Sequence, residues 1–136
     1  MCSGRGIAHV KRFRHIGTVL MLGLSGAAIA QSQAEMTEAA SNLLRAASTE
    51  LSSAVKQYRG RLTGIQLAMF DQSQQAWVQY RRAVCDFESS GANGGSAQAM
   101  LQESCLENFT RERLKYIQRL SQCEEGDLSC PASAKE

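Results

Sequence analysis

The chain has 136 residues, fifteen Lys and Arg against thirteen Asp and Glu, five cysteines, one tryptophan and one proline. That length is enough for one domain with a single modest core. The formal charge of +2 is carried by the N-terminal segment, so it gives no support to a nucleic-acid partner.

The first thirty residues read as a cleaved secretory signal peptide: Arg5, Lys11, Arg12 and Arg14 precede an apolar run from Ile16 that ends in Ala28-Ile29-Ala30. The run is about fifteen residues, short of the roughly twenty that span a bilayer, which argues against a permanent anchor. Cleavage after Ala30 removes Cys2, both histidines (His9 and His15) and four basic residues. The expected product is periplasmic or secreted, with eleven basic and thirteen acidic residues and a net charge of −2.

A first helix is expected from Met36 to about Arg61, because Leu44, Ala47, Leu51, Ala54 and Tyr58 recur at alternating spacings of three and four. Gly60 and Gly64 bracket its end, although Ile65 continues the seven-residue rhythm of Leu44, Leu51 and Tyr58. A second helix, about Ile65 to Phe87, places Phe70, Trp77 and Val84 seven apart, with Tyr80 and Phe87 beside them. This spacing assigns Trp77, Tyr80 and Phe87 to the core rather than to a ligand-stacking platform. Arg81 and Arg82 read as a solvated or salt-bridged belt.

Residues 89–96 are small, polar and rich in turn formers, and so form a loop. Ser96 is placed to cap a third helix, about Ala97 to Gln122, with Leu106, Phe109, Tyr116 and Leu120 facing inward. Beyond Cys123 the chain turns polar, and residues 131–136 read as a disordered tail. The expected fold is all-α: a three-helix domain over residues 31–130 whose second and third helices form an antiparallel hairpin, with the first packed across them. Whether the first helix packs in its own chain or against a second copy is left open, and with it a homo-oligomer.

Four cysteines remain in the exported product, and an even number in a short exported chain reads as two disulfides. A four-cysteine metal site would lack any Cys-x-x-Cys pair, so no metal or other cofactor is expected. Cys105 and Cys123 lie eighteen residues apart on one helix, roughly 27 Å, too far to bond. In the hairpin Cys85 and Cys105 share the loop end, which leaves Cys85–Cys105 and Cys123–Cys130. The first bridge sets a register in which Val84 meets Leu106, Tyr80 and Arg81 approach Phe109, Trp77 approaches Arg113, and Phe70 meets Leu120.

With no histidine after the signal and little concave surface on a small helical domain, the sequence reads as a binding protein and not an enzyme. Between Arg82 and Arg111 there is no Lys or Arg, whereas Asp86, Glu88, Glu103 and Glu107 all fall there. They should surround the Gly94-Gly95-Ser96 loop, either as a solvated turn or as an acidic tip for a cationic partner. Asp86 and Glu88 end the second helix, where negative charge opposes the helix dipole, so helix stability does not account for them.

The stretches Gln75-Ala76-Trp77-Val78-Gln79-Tyr80-Arg81, Cys85-Asp86-Phe87-Glu88, Gly94-Gly95-Ser96, Cys105-Leu106 and Thr110-Arg111-Glu112-Arg113 together resemble the LprI-type lysozyme inhibitor domain of bacterial envelope proteins. The resemblance covers roughly Ala47 to Leu120, and its motif core is Trp77, Tyr80, Arg81, Phe87, Thr110 and Arg113. It implies inhibition of lysozyme, a cationic hydrolase of peptidoglycan, by surface contact. An acidic tip suits a cationic rim of that enzyme better than a cleft containing carboxylates. The alternative is a structural or adaptor module of the cell envelope. One departure stands out: where the family carries an Asp-x-Glu-Leu-Asn-like stretch, this chain has Ser48-Thr49-Glu50-Leu51-Ser52, and an upstream cysteine is absent.

Overall fold

A computed structural model describes the backbone at residues 21–124, 126–128, 130 and 131, and side chains from residue 32 onward. Most of the expected signal segment (residues 1–20) and most of the expected tail (132–136) lie outside the described residues. Three helices, α1 (Met21–Arg59), α2 (Gly64–Ser89) and α3 (Gln98–Ser121), account for most of the described chain, and there is no strand among the described residues.

Helix α1 begins before the expected Met36, since nothing from Met21 onward interrupts it: the sequence has no proline before Pro131. It ends where Gly60 tightens the chain into a turn, with the N–H groups of Arg61 and Leu62 donating to the carbonyls of Tyr58 and Arg59. Gly64 opens α2 at φ +54°, a left-handed conformation that a side chain would strain. The turn ends the heptad rhythm, and Ile65, instead of continuing the buried face of α1, is 73% exposed.

The core lies at the end of the domain that carries this turn. Leu51, Tyr58, Leu62, Phe70, Leu114 and Ile117 form one buried cluster, with Ala54, Val55, Leu67, Trp77 and Leu120 packed around it. Tyr58 and Phe70 meet edge to face, ring centroids 5.1 Å apart. Each such fully buried side chain is worth roughly 1.5–3 kcal/mol relative to exposure.

The expected stripe on α1 is the one used: Ala47, Leu51 and Tyr58 are buried, Leu44 and Ala54 half-buried. The helix pairing differs in emphasis from the expectation. Helix α3 lies mainly along α1, whose Ala40 and Ala47 are buried. The two run parallel, their C-terminal ends tied by the Arg61 guanidinium donating to the Ser121 carbonyl at 2.6 Å. Helix α2 runs antiparallel to both. The buried residues of α3 are Cys105, Thr110, Leu114 and Ile117, while Tyr116 is exposed and Leu106, Phe109 and Leu120 are half-buried.

The disulfides pair as the helix geometry required. Cys85–Cys105 joins α2 to α3, and Cys123–Cys130 ties the C-terminal segment to the end of α3, each with Cα atoms 5.6 Å apart. The register follows the bridge: Tyr80 meets Phe109 at 5.9 Å between ring centroids, and the Arg113 guanidinium carbon lies 5.6 Å from the Trp77 ring.

Candidate functional site

The far end of the domain is built around the Cys85–Cys105 bridge. Helix α2 runs into a short 3-10 turn over Ser90–Ala92, and the chain then reverses at Gly94 with φ +76°. Gln98 holds this loop: its side-chain oxygen accepts from the Gly94 N–H at 3.2 Å, while its amide nitrogen donates to Asn93 Oδ1 at 2.7 Å. Ser96 does not cap α3. The helix starts one residue later than expected, behind Ala97, with no side-chain cap bond, because the turn donating the Gln98 N–H to the Gly95 carbonyl occupies the place of a capping serine. Gly94, Gly95 and Ser96 are all exposed.

The four carboxylates of the expected tip are not equivalent. Asp86 and Glu88 are exposed at the end of α2. Asp86 accepts from the Gln102 amide at 2.6 Å and lies 3.9 Å from Arg82 Nε, while Glu88 Oε2 lies 3.2 Å from the Cys105 sulfur. Glu107 is paired with Arg111 one turn along α3 and is only 14% exposed. One oxygen of Glu103 is buried without a protein partner. The exposed acid is therefore concentrated on α2 and not spread evenly around the loop.

Two expected core aromatics are surface groups instead. Phe87 is 78% exposed and Tyr80 58%, whereas Trp77 is half-buried. The reason is angular: the covered face of α2 follows Phe70, Gln74, Trp77, Arg81 and Cys85, and at 100° per residue Tyr80 and Phe87 fall on its flank. Phe87 thus projects between the two exposed carboxylates Asp86 and Glu88. Ile65 and Met69 are exposed on α2 as well, at 73% and 62%.

Arg81 also departs from expectation. Arg82 is the exposed partner of Asp86, but Arg81 lies four residues after Trp77 on the covered face and turns inward. Its Nη1 donates to Thr110 Oγ1 at 2.5 Å, and that fully buried hydroxyl donates to the Leu106 carbonyl at 2.6 Å. The Arg81 guanidinium carbon stands 4.7 Å from the Trp77 ring centroid. Arg113 approaches the same ring and also bonds Gln74 Oε1 at 3.3 Å and Ser73 Oγ at 3.4 Å. Burial pushes both guanidinium groups below their ordinary pKa, with Tyr116 acting in the opposite sense on Arg113.

Among the described residues no group of three or more His, Cys, Asp or Glu side chains is placed to hold a metal ion, and no helix is long and apolar enough to cross a membrane. What the geometry presents is a small disulfide-linked helical domain with a half-buried Trp77–Arg81 pair beside buried Thr110 and an exposed aromatic between carboxylates. The sequence matches the family described as "Lysozyme inhibitor LprI" over residues 25–117, and the chain belongs to that family. It is 32% identical over 82 residues to "Uncharacterized protein R02472" of Rhizobium meliloti (strain 1021), a match covering 60% of this chain. The chain spans about half, 55%, of the length of that curated relative. No solved structure matches it.

Proposed function

We propose that the chain is the precursor of an exported protein that inhibits lysozyme by surface contact. The family match over residues 25–117 carries this reading. The contact surface we assign is the end of α2 and the adjoining loop: Phe87 as an apolar anchor, Asp86 and Glu88 beside it, and Gly94, Gly95 and Ser96 at the tip. An exposed aromatic ringed by charge matches the anatomy of interface hot spots, where a few large side chains supply most of the binding energy. The absence of Lys and Arg between Arg82 and Arg111 favours a cationic partner and speeds encounter with one at low salt. Glu103 and Glu107 contribute to this field from α3 rather than by contact.

A second reading, a structural or adaptor module of the envelope, is favoured by one observation. Exposed Ile65 and Met69 carry apolar surface along α2 well beyond the tip. Lysis of peptidoglycan-rich cells by lysozyme separates the two. Titrating the oxidised protein into that assay should slow lysis in proportion to dose; unchanged lysis at large molar excess would leave the adaptor reading in possession.

A further inference from the structure

Of the 26 residues of α2 only Phe70, Cys85 and Ser89 are buried. On the side away from them Ile65, Met69, Tyr80 and Phe87 are exposed, with exposed Gln72, Ala76 and Ala83 between. At 100° per residue these seven share a sector about 80° wide. Tyr80 meets Phe109 yet stays more than half exposed. None of the seven is charged. The charges of α2 stand elsewhere: Asp71 is held by Arg59, Arg81 turns in to Thr110, and Arg82, Asp86 and Glu88 gather toward the C-terminal end. An uncharged stripe with four large apolar groups, running most of the length of an exposed helix, has the pattern of a face that packs on another helix.

The stripe also reads the same from both ends. From Ile65 to Phe87 the steps are four, three, four, four, three and four residues, with Ala76 at the centre. Turned end over end it coincides with itself, which is what a two-fold interface between identical chains requires. With Ala76 on the axis, Ile65 meets Phe87 of the second copy, Met69 meets Ala83, and Gln72 brings its amide to the Tyr80 hydroxyl. Charge selects the same direction. Parallel copies would set Asp86 and Glu88 against themselves. Antiparallel copies carry both acids to the first turn of the other α2, which has no acidic residue and no side-chain cap and where the helix dipole favours negative charge. At the end of their own helix the two acids oppose that dipole.

We propose that α2 is a self-association surface, on which two copies of this chain pack antiparallel along the stripe about a two-fold axis at Ala76. The stripe is about 33 Å long and, with a helix about 12 Å across, covers about 400 Å² on each copy. That is about half of the roughly 800 Å² per partner in a standard interface, so the dimer is reversible and dissociates on dilution. Phe87 belongs both to this surface and to the one assigned to lysozyme, and a chain in the dimer does not present it to the enzyme. The self-association does not rest on the lysozyme reading, and none of its tests involves lysozyme.

Sedimentation equilibrium of the oxidised protein, carried up to millimolar concentration, should show the mean mass rising from one chain toward two. Met69→Glu sets a charge on the stripe at an exposed position; with helical circular dichroism unchanged, it should stay a single chain at every concentration. Ile65→Glu, likewise exposed, should do the same and decides the matter if Met69→Glu fails to fold. Cysteine cross-linking reads the direction. Ala76→Cys lies on the axis and should form a disulfide-linked dimer on mild oxidation. Ala83→Cys should not, because antiparallel packing sets it opposite Met69, about 21 Å along the helix from its own copy and far beyond disulfide reach. A single-chain mass throughout, a mass that climbs past two chains, glutamate variants that associate like the parent, or Ala83→Cys linking as readily as Ala76→Cys would each overturn the proposal.

Discussion

The two disulfides should differ in what they contribute, and the difference follows from where each lies. Cys85–Cys105 closes a separation of 20 residues between two helices at the end of the domain away from the main apolar cluster. Loop-closure entropy for such a span is about 3 kcal/mol. Cys85 is 0% exposed and Cys105 9%, so Cys85→Ala/Cys105→Ala is the cleaner perturbation, since serines would bury hydroxyl groups. Cys123–Cys130 closes a separation of only 7, for which the same relation gives about 2 kcal/mol. Its segment, however, lies outside the main apolar cluster, so little of the core depends on the bridge. Cys123→Ala/Cys130→Ala should therefore cost less than about 1 kcal/mol. Equilibrium urea unfolding followed by Trp77 fluorescence measures both. A loss below about 0.5 kcal/mol for the first variant, or equal losses for the two, would refute the reasoning.

Three further outcomes are expected. Ile117→Ala, at a fully buried position in the main apolar cluster, should destabilise by about 2–5 kcal/mol in the same urea experiment. Phe87→Ala should leave stability within about 0.5 kcal/mol of the parent, because the ring is mostly exposed. Asp71, bound through two 2.6 Å hydrogen bonds to Arg59, is held below the ordinary carboxylate range first by those bonds. The pair's contribution is thus present at neutral pH, above the unfolded pKa of Asp71, and is lost as pH falls through the lower folded value. An NMR titration should find the Asp71 midpoint below 3.8, and Arg59→Gln should bring it back up.

Those features of the fold that depend on one helix or one covalent constraint were legible in the sequence. The stripe of Ala47, Leu51 and Tyr58 named the buried face of α1, and the length of a helix from Cys105 to Cys123 together with the antiparallel α2–α3 hairpin was enough to choose the disulfide pairing and, through it, the Tyr80–Phe109 level. Features that depend on which of two faces a third element covers were not legible. Helix α2 carries aromatics on adjacent angular sectors, and seven-residue spacing groups Tyr80 with Phe87 without saying whether anything packs on them. Arg81 was misplaced for the same reason: its charge suggested solvent, whereas its position one turn after Trp77 puts it under α1 beside Thr110. Ser96 had the chemistry of a cap and lost the position to a turn.

Contact between the α2 end and lysozyme is tested most directly by calorimetric titration of lysozyme into the oxidised protein at low salt. The parent should bind with one-to-one stoichiometry and with an affinity that falls as salt rises. Asp86→Asn/Phe87→Ala/Glu88→Gln should bind at least about 30-fold more weakly, the effect of losing roughly 2 kcal/mol at a hot spot. Absence of heat from the parent, or equal affinity of parent and triple variant, would contradict it.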